Sequence, residues 1–329
     1  MLARERPGGP PGQRDLHWST MKRRILVGAA LGTGLAVLAV RRAGLREDLE
    51  WAALAKPGEL IDIDGYGVHY VDQGSGPAIV LLHGFGGSTY QFRHQIGALS
   101  PKYRVVAVDL KGFGYSQRST SAGLGSSDQV EMLVTLFQRL GVEHATLVGH
   151  SMGGGIAQRF ASAHPEKVDA LVLAASVNAS EPRRTTPLPR FLLRPLLPVM
   201  AAFASSRLLS RSVYDKSVLT PAVRAEYNRP GRLKGSMDGL MEMMSGGAGG
   251  EPIDLSAITM PVMLLWGEED RVVPLSGAAR IREQIPQARM VVIDRAGHLL
   301  FDERPEVVTQ AILSFVNEAV PASGCVALG

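Results

Sequence analysis

The sequence predicts an α/β protein, with a mostly parallel β-sheet, helices on both faces of the sheet and a helical insertion. Three observations lead to this fold class. Short, strongly apolar runs recur along the chain and alternate with stretches of helical periodicity. The chain has 329 residues, which is enough for one large domain with an insertion. One long stretch, residues 178–256, breaks the alternation.

The apolar runs predict eight strands. Residues 59–64 and 68–72 lie on either side of a Gly-Tyr-Gly turn at 65–67 and form a hairpin. Residues 78–83 (AIVLLH) are continuously apolar, as in a strand buried on both faces of a parallel sheet. Five further runs have the same character: 104–109, 145–149, 168–174, 261–266 and 289–294.

Helices are predicted between these strands. In residues 128–140 the apolar side chains recur at helical spacing, and residues 305–320 form an amphipathic helix that closes the fold. The α/β core is therefore assigned to residues 58–177 and 257–320.

The insertion, residues 178–256, holds five of the twelve methionines and short apolar clusters. A loop of this length without its own structure is unusual in a compact domain. We therefore expect a helical cap over one end of the sheet, with a flexible joint in the glycine-rich run 246–250.

The composition is that of a globular protein, with 45% apolar and 20% charged residues. The one cysteine, Cys325, excludes an intramolecular disulfide and a cysteine-based zinc site. The net charge of +4 comes from residues 1–50, which hold nine Lys/Arg and five Asp/Glu, and the remaining residues balance. A neutral body argues against a nucleic-acid partner.

The N-terminus differs from the rest of the chain. Residues 1–24 are basic and rich in Pro and Gly, and residues 25–40 are apolar with basic residues on both sides. As a helix this segment would span about 24 Å, short of a ~30 Å bilayer core but sufficient if the flanking arginines reach the headgroups. We expect a single-pass membrane anchor, whose orientation the basic residues on both sides leave open.

Two other interpretations of the apolar segment remain, a cleaved export signal and a buried helix of the domain. Met21 directly precedes the basic cluster, so translation starting there would remove the first twenty residues. Residues 43–57 are interpreted as a linker or a short helix, and residues 321–329 as a C-terminal tail.

The strongest chemical motif is GHSMGG, residues 149–154, which follows an apolar strand and precedes a helical stretch. A serine at such a junction lies on a sharp turn, and the flanking Gly149 and Gly153 are required because a Cβ would clash. The turn exposes the Ser151 hydroxyl beside a helix N-terminus. The alternative is a glycine-rich turn that only connects the two elements.

A serine hydroxyl needs a base and a group that orients the base. His298 follows the last predicted strand, and Asp270 follows the strand before it, so both lie at the sheet edge where parallel strands place a site. Glu268 and Glu269 are alternative acids. Other histidines, at positions 69, 94, 144 and 164, stand where surface residues are expected.

The loop HGFGG, residues 83–87, follows the buried strand 78–83. Acyl transfer needs N–H donors aimed at the oxyanion of the tetrahedral intermediate. The backbone N–H groups of Met152 and Phe85 are the candidates, with Gly84 giving the loop its freedom.

Together the loop 83–87, the segment DLKGFGYS at 109–116, the GHSMGG motif, the acid loop GEEDRVVP at 267–274 and the Gly-His pair at 297–298 resemble the α/β-hydrolase fold superfamily. The resemblance covers residues 58–320 and implies that Asp109 is structural. Epoxide hydrolases and haloalkane dehalogenases are also similar, but they use an aspartate where this chain has Ser151, which argues against both activities.

The resemblance implies a serine hydrolase acting on small-molecule carboxylic esters through Ser151, His298 and Asp270, with no cofactor and no metal. Cofactor-free haloperoxidases (perhydrolases), C–C bond hydrolases and acyltransferases of the same fold are alternatives. A different class is a non-catalytic binding protein with this fold. The apolar cap residues suit a pocket for an apolar acyl or alcohol group, or they only pack the cap onto the core.

Overall fold

A computed structural model describes residues 47–54, 56–119, 123–182, 209–242 and 250–320. It confirms the predicted fold class, with one sheet of eight strands in the order β1-β2-β4-β3-β5-β6-β7-β8. The strands are β1 (Glu59–Ile63), β2 (Tyr66–Gln73), β3 (Ala78–Leu82), β4 (Arg104–Val108), β5 (Ala145–His150), β6 (Val168–Ala174), β7 (Val262–Gly267) and β8 (Arg289–Ile293).

Only the strand β2 runs against its neighbours. It pairs antiparallel with β1 and β4, and the other neighbouring strands pair in parallel. The hairpin turn lies at Asp64 and Gly65, both with positive φ, so β2 begins at Tyr66, inside the predicted Gly-Tyr-Gly turn. A two-residue turn of this kind requires positive φ at both central positions, which an Asp-Gly pair supplies.

The helices around the sheet are α1 (Arg93–Leu99), α2 (Ser126–Leu140) and α3 (Met152–Ala163), followed after the insertion by α6 (Ser276–Gln284), α7 (Leu300–Glu303) and α8 (Pro305–Ala319). Helix α2 packs against α3, and α1 packs against α8. Large side chains that are fully buried, among them Trp266, Phe92 and Phe160, fill the core. Burial on both faces explains why the central strands are continuously apolar.

The described part of the insertion includes the helices α4 (Pro221–Asn228) and α5 (Ser236–Glu242). Val213 and Leu219 pack there against Leu299 of the core. Partly buried Arg118 of the core donates to the carbonyl of Pro230 and to the hydroxyl of Ser236. Of the predicted glycine joint only Gly250 lies within the described residues, and the assignment of 178–256 as a cap domain stays a prediction.

The segment before β1, residues 47–56, makes specific contacts and is named here the strap. Leu49 forms two backbone hydrogen bonds with the insertion, to Arg232 and Lys234, and Asp48 forms an ion pair with Arg232. The Trp51 indole donates to the Tyr115 carbonyl at 2.8 Å. The described residues of the strap form no helix; instead they join the insertion to the core.

The described chain contains no helix with the length and hydropathy needed to cross a bilayer. The predicted anchor 25–40, the extension 1–24 and the tail 321–329 lie outside the described residues.

Asp109, which directly follows β4, forms a buried pair with His69 of the neighbouring strand β2. The His69 Nδ1–H donates to Asp109 Oδ2 at 2.7 Å, and the amides of Thr89 and Tyr115 also donate to this carboxylate. Burial alone would raise the pKa of Asp109, but the hydrogen bond and charge of His69 outweigh it and lower this pKa.

The expectation of a surface position for His69 is wrong, since the side chain is fully buried. The loop after β4 folds over it, and the Ser116 hydroxyl accepts a hydrogen bond from the His69 backbone N–H. His94 and His144 are exposed as expected, and His164 is partly exposed.

We predict that Asp109→Asn lowers the free energy of unfolding by about 3–5 kcal/mol, because it leaves His69 and two amides without a buried charged partner. Chemical denaturation measures this change. The matched control is Asp169→Asn, which breaks the exposed Asp169–His144 pair and should cost at most about 1 kcal/mol. Equal losses in the two variants would contradict the structural role of Asp109.

Candidate active site

Ser151 is the single residue between the strand β5 and the helix α3. Its backbone angles are φ 52° and ψ −114°, a conformation that costs a non-glycine residue on the order of 1–3 kcal/mol. Its N–H donates to the Ala174 carbonyl at 3.0 Å, and its carbonyl accepts from Gly154 and Val177 at 3.1 Å. These bonds hold the serine at the reversal, where its side chain is 8% exposed.

The predicted glycines around Ser151 leave no room for a side chain. A Cβ on Gly153 would lie 2.3 Å from the Leu82 carbonyl oxygen, and one on Gly149 would lie 2.6 Å from the Gly153 carbonyl oxygen. A Cβ on Gly84 would lie 3.1 Å from the Ser151 Cβ. The helix N-terminus therefore packs directly on the end of β3.

His298 and Asp270 meet across two loops. Asp270 follows β7, His298 follows β8, and the His298 Nδ1–H donates to Asp270 Oδ2 at 2.8 Å. The other oxygen of Asp270 accepts from the amides of Val272 and Val273 at 2.8 and 2.9 Å. This arrangement fixes the acid and leaves the other ring nitrogen of neutral His298 as an acceptor.

The alternative acids do not contact this histidine. Glu268 is exposed, and Glu269 lies 3.6 Å from Arg271 at the surface. Asp270 and His298 are each 6% exposed. Among the three acidic residues of this loop, Asp270 is the partner of His298.

The two candidate oxyanion donors belong to the first residue of α3 and to the loop after β3. Met152 is the first residue of α3, so its N–H belongs to the helix N-terminal groups that have no partner within the helix. Phe85 lies in a loop that two hydrogen bonds hold in place. The Gly84 N–H donates to Gln91 Oε1 at 3.4 Å, and the Gly87 N–H donates to the Gly84 carbonyl at 3.0 Å. The Phe85 ring, 47% exposed, meets Phe113 edge-on.

His150 is a site residue that the sequence reasoning missed. Its Nε2–H donates to the His298 carbonyl at 2.9 Å, and the two rings lie 4.6 Å apart. Burial, with the nearby His298, lowers the pKa of His150 well below its ordinary value, so the ring stays neutral. The sequence around His150 does not indicate this bond, because the partner His298 lies 148 residues further along the chain.

Comparison with known proteins identifies the family to which the chain belongs. The chain matches the model of the alpha/beta hydrolase fold family over residues 77–305. The uncharacterized hydrolase YugF of Bacillus subtilis (strain 168) is 31% identical over 264 residues, which are 78% of this chain and 96% of that protein.

Two further relatives carry more specific names. The 2-hydroxy-6-oxononadienedioate/2-hydroxy-6-oxononatrienedioate hydrolase of Burkholderia vietnamiensis (strain G4 / LMG 22486) is 33% identical, covering 76% of this chain and 91% of that protein. The solved structure of a membrane phospholipase A, a bacterial virulence factor, is similar with a TM-score of 0.68 and 26% identity, over 94% of this chain and 100% of that chain. The chain belongs to the alpha/beta hydrolase fold family and is a hydrolase.

We predict that Gly153→Ala destabilises the fold by about 3 kcal/mol or more, because its Cβ would meet backbone carbonyls that cannot move aside. The control is Gly97→Ala in α1, where a Cβ meets nothing within 4 Å, and where alanine favours the helix. Thermal unfolding of the two variants beside the wild type is the measurement. A Gly153→Ala protein as stable as Gly97→Ala would contradict the tight packing of the turn.

Proposed function

We propose that this protein is a serine hydrolase that cleaves carboxylic esters with an apolar acyl or alcohol part. The observation that carries the proposal is the His298–Asp270 hydrogen bond, formed at the same sheet edge as the strained Ser151. A buried base with an oriented acid beside a serine held at a sharp turn is the arrangement that activates a hydroxyl as a nucleophile.

In this mechanism His298 accepts the proton of the Ser151 hydroxyl while the serine oxygen attacks the ester carbonyl carbon. Asp270 holds the imidazole ring and stabilises its protonated form. The N–H groups of Phe85 and Met152 donate to the oxyanion of the tetrahedral intermediate. The protonated His298 then donates its proton to the leaving alcohol, and water hydrolyses the acyl-enzyme with His298 as the base.

Several features favour an ester with an apolar part. The exposed Phe85 ring belongs to the residue whose amide is a candidate oxyanion donor. Val213 and Leu219 of the insertion pack against Leu299, the residue after His298. A solved structure that is similar over 94% of this chain is called a membrane phospholipase A. We further propose that residues 178–256 form a cap and that a substrate pocket lies between this cap and the sheet edge.

A C–C bond hydrolase is the second candidate, because a relative at 33% identity is a hydrolase of 2-hydroxy-6-oxononadienedioate. The same serine, histidine and aspartate would serve that reaction. Ser151 argues against epoxide hydrolysis and dehalogenation, in which the residue at this turn is an aspartate.

We also propose that residues 25–40 anchor the protein in a membrane. The segment is apolar with basic residues on both sides, and the strap that follows it is fixed to the insertion through Leu49 and Asp48. The side of the membrane on which the domain lies is left open by this proposal.

We expect Ser151→Ala to lower kcat on p-nitrophenyl esters by at least about 10³-fold with little change in thermal stability, since alanine removes only the nucleophilic oxygen. The assay compares esters of increasing acyl length in the detergent-solubilised full chain, and labelling of Ser151 by a fluorophosphonate probe is followed in parallel. A variant that keeps most of the wild-type activity would show that Ser151 is not the nucleophile.

The two candidate reactions are separated by running the same preparation on a 2-hydroxy-6-oxo-dienedioate. Ester turnover with a chain-length optimum and no cleavage of the dienedioate supports ester hydrolysis. Labelling of Ser151 with turnover of the dienedioate alone would instead support the C–C bond hydrolase.

The anchor predicts that the protein stays in the membrane pellet after a carbonate wash, because residues 25–40 would be held by the bilayer core. A matched variant with residues 25–40 deleted should appear in the supernatant. Recovery of the wild-type protein in the supernatant, with its N-terminus beyond residue 40, would replace the anchor by a cleaved signal.

A further inference from the structure

Glu303 is a buried carboxylate that accepts backbone hydrogen bonds from both the core and the insertion. It is the last residue of α7 and is 8% exposed. Its Oε1 accepts from the Gly297 N–H at 2.8 Å, and its Oε2 accepts from the N–H groups of Tyr214 and Asp215 at 2.7 and 2.9 Å. Two parts of the chain that are far apart in sequence therefore share one side chain.

The insertion residues 212–215 are named here the cap segment. They lie directly against residues 294–299, the loop after β8 that carries His298 and is named here the histidine loop. The Leu299 N–H donates to the Ser212 carbonyl at 2.9 Å. A Cβ on Gly297 would lie 2.8 Å from the Ser212 carbonyl oxygen and 2.9 Å from the Tyr214 nitrogen. The residues before and after His298 are thus both fixed to the cap segment, the first through Glu303 and the second directly.

The chemistry of this contact favours a carboxylate. Three N–H donors converge on the side chain, and an ionised carboxylate can only accept hydrogen bonds. Burial raises the pKa of Glu303, while the amides of Asp215, Gly297 and Tyr214 act in the opposite direction. A glutamine of the same shape would turn its NH₂ group toward at least one of these amides and lose that bond.

We propose that Glu303 is a positioning residue that makes the placement of His298 depend on the docked cap segment. The inference rests on the proposed serine hydrolase function. When the cap segment is docked, its two amides and the Gly297 amide bind one carboxylate, and the histidine loop is held at the distance from Ser151 that proton transfer requires. When the cap segment moves away, Glu303 loses two of its three partners, the Leu299 N–H loses the Ser212 carbonyl, and only the bonds within the core still hold the loop.

The proposal predicts an effect on the chemical step. A misplacement of a reacting group by about 1 Å can cost on the order of 10²-fold in rate. We expect Glu303→Gln to lower kcat for a p-nitrophenyl ester by about 10- to 100-fold, with KM changed less than about threefold.

The experiment uses the full chain in detergent and measures kcat per active site, with sites titrated by a fluorophosphonate probe at Ser151. This quantity separates positioning from folding, because unfolded molecules are not titrated. The matched control is Glu306→Gln, an exposed glutamate three residues further along, which should retain the wild-type kcat. A wild-type kcat per titrated site in Glu303→Gln would overturn the proposal.

If Glu303→Gln gives no titratable sites, Glu303→Asp decides. The aspartate keeps the negative charge but is one methylene too short to reach all three amides, so kcat per site should fall to an intermediate value. An unchanged value for this variant would also overturn the proposal. Failure of the proposed function is recognised separately, since the wild-type protein would then hydrolyse no ester and Ser151→Ala would change nothing.

Discussion

The reversal of the chain at Ser151 is the constraint on which the rest of the site depends. A single residue, Ser151, separates β5 from α3. Its backbone therefore takes a conformation that residues other than glycine rarely adopt. The surrounding bonds and close packing compensate for this strain. Gly153 must lie against the end of β3 and Gly84 against Ser151 itself, and these contacts bring the loop after β3 to the serine.

The parallel sheet brings the remaining groups to the same edge. Parallel strands end side by side, so the loops after β3, β5, β7 and β8 begin as neighbours although they are distant in sequence. Each loop supplies one part of the candidate site: a backbone amide at Phe85, the serine, the acid Asp270 and the base His298. Because each loop begins at the end of a strand in the same sheet, these groups start close together.

The strands and the site loops could be predicted because their signals are local. A continuous apolar run marks a strand buried on both faces, and a glycine on either side of a serine marks the sharp turn. The burial of His69, the bond from His150 to the His298 carbonyl and the bonds from Tyr214 and Asp215 to Glu303 could not be predicted. In each of them a side chain bonds to a distant residue, and no periodicity or spacing in the chain records that partner. For the same reason the sequence of residues 43–57 indicates only a linker or a short helix, since the partners of Asp48 and Glu50 lie about 180 residues further along.

Local sequence signals indicate the candidate catalytic residues, but they do not indicate the substrate. The candidate site residues follow from the sheet edge and from one sharp turn, whereas the relatives of this chain carry different names, a dienedioate hydrolase and a membrane phospholipase A among them. The insertion contacts the core close to His298, where Glu303 accepts from Tyr214 and Asp215 and the Leu299 N–H donates to the Ser212 carbonyl. With residues 178–256 as the proposed cap and Glu303 as the proposed positioning residue, a change in the insertion has two routes to the chemistry, through the shape of the pocket and through the position of His298. We therefore expect an exchange of insertions between relatives to alter the rate as well as the specificity.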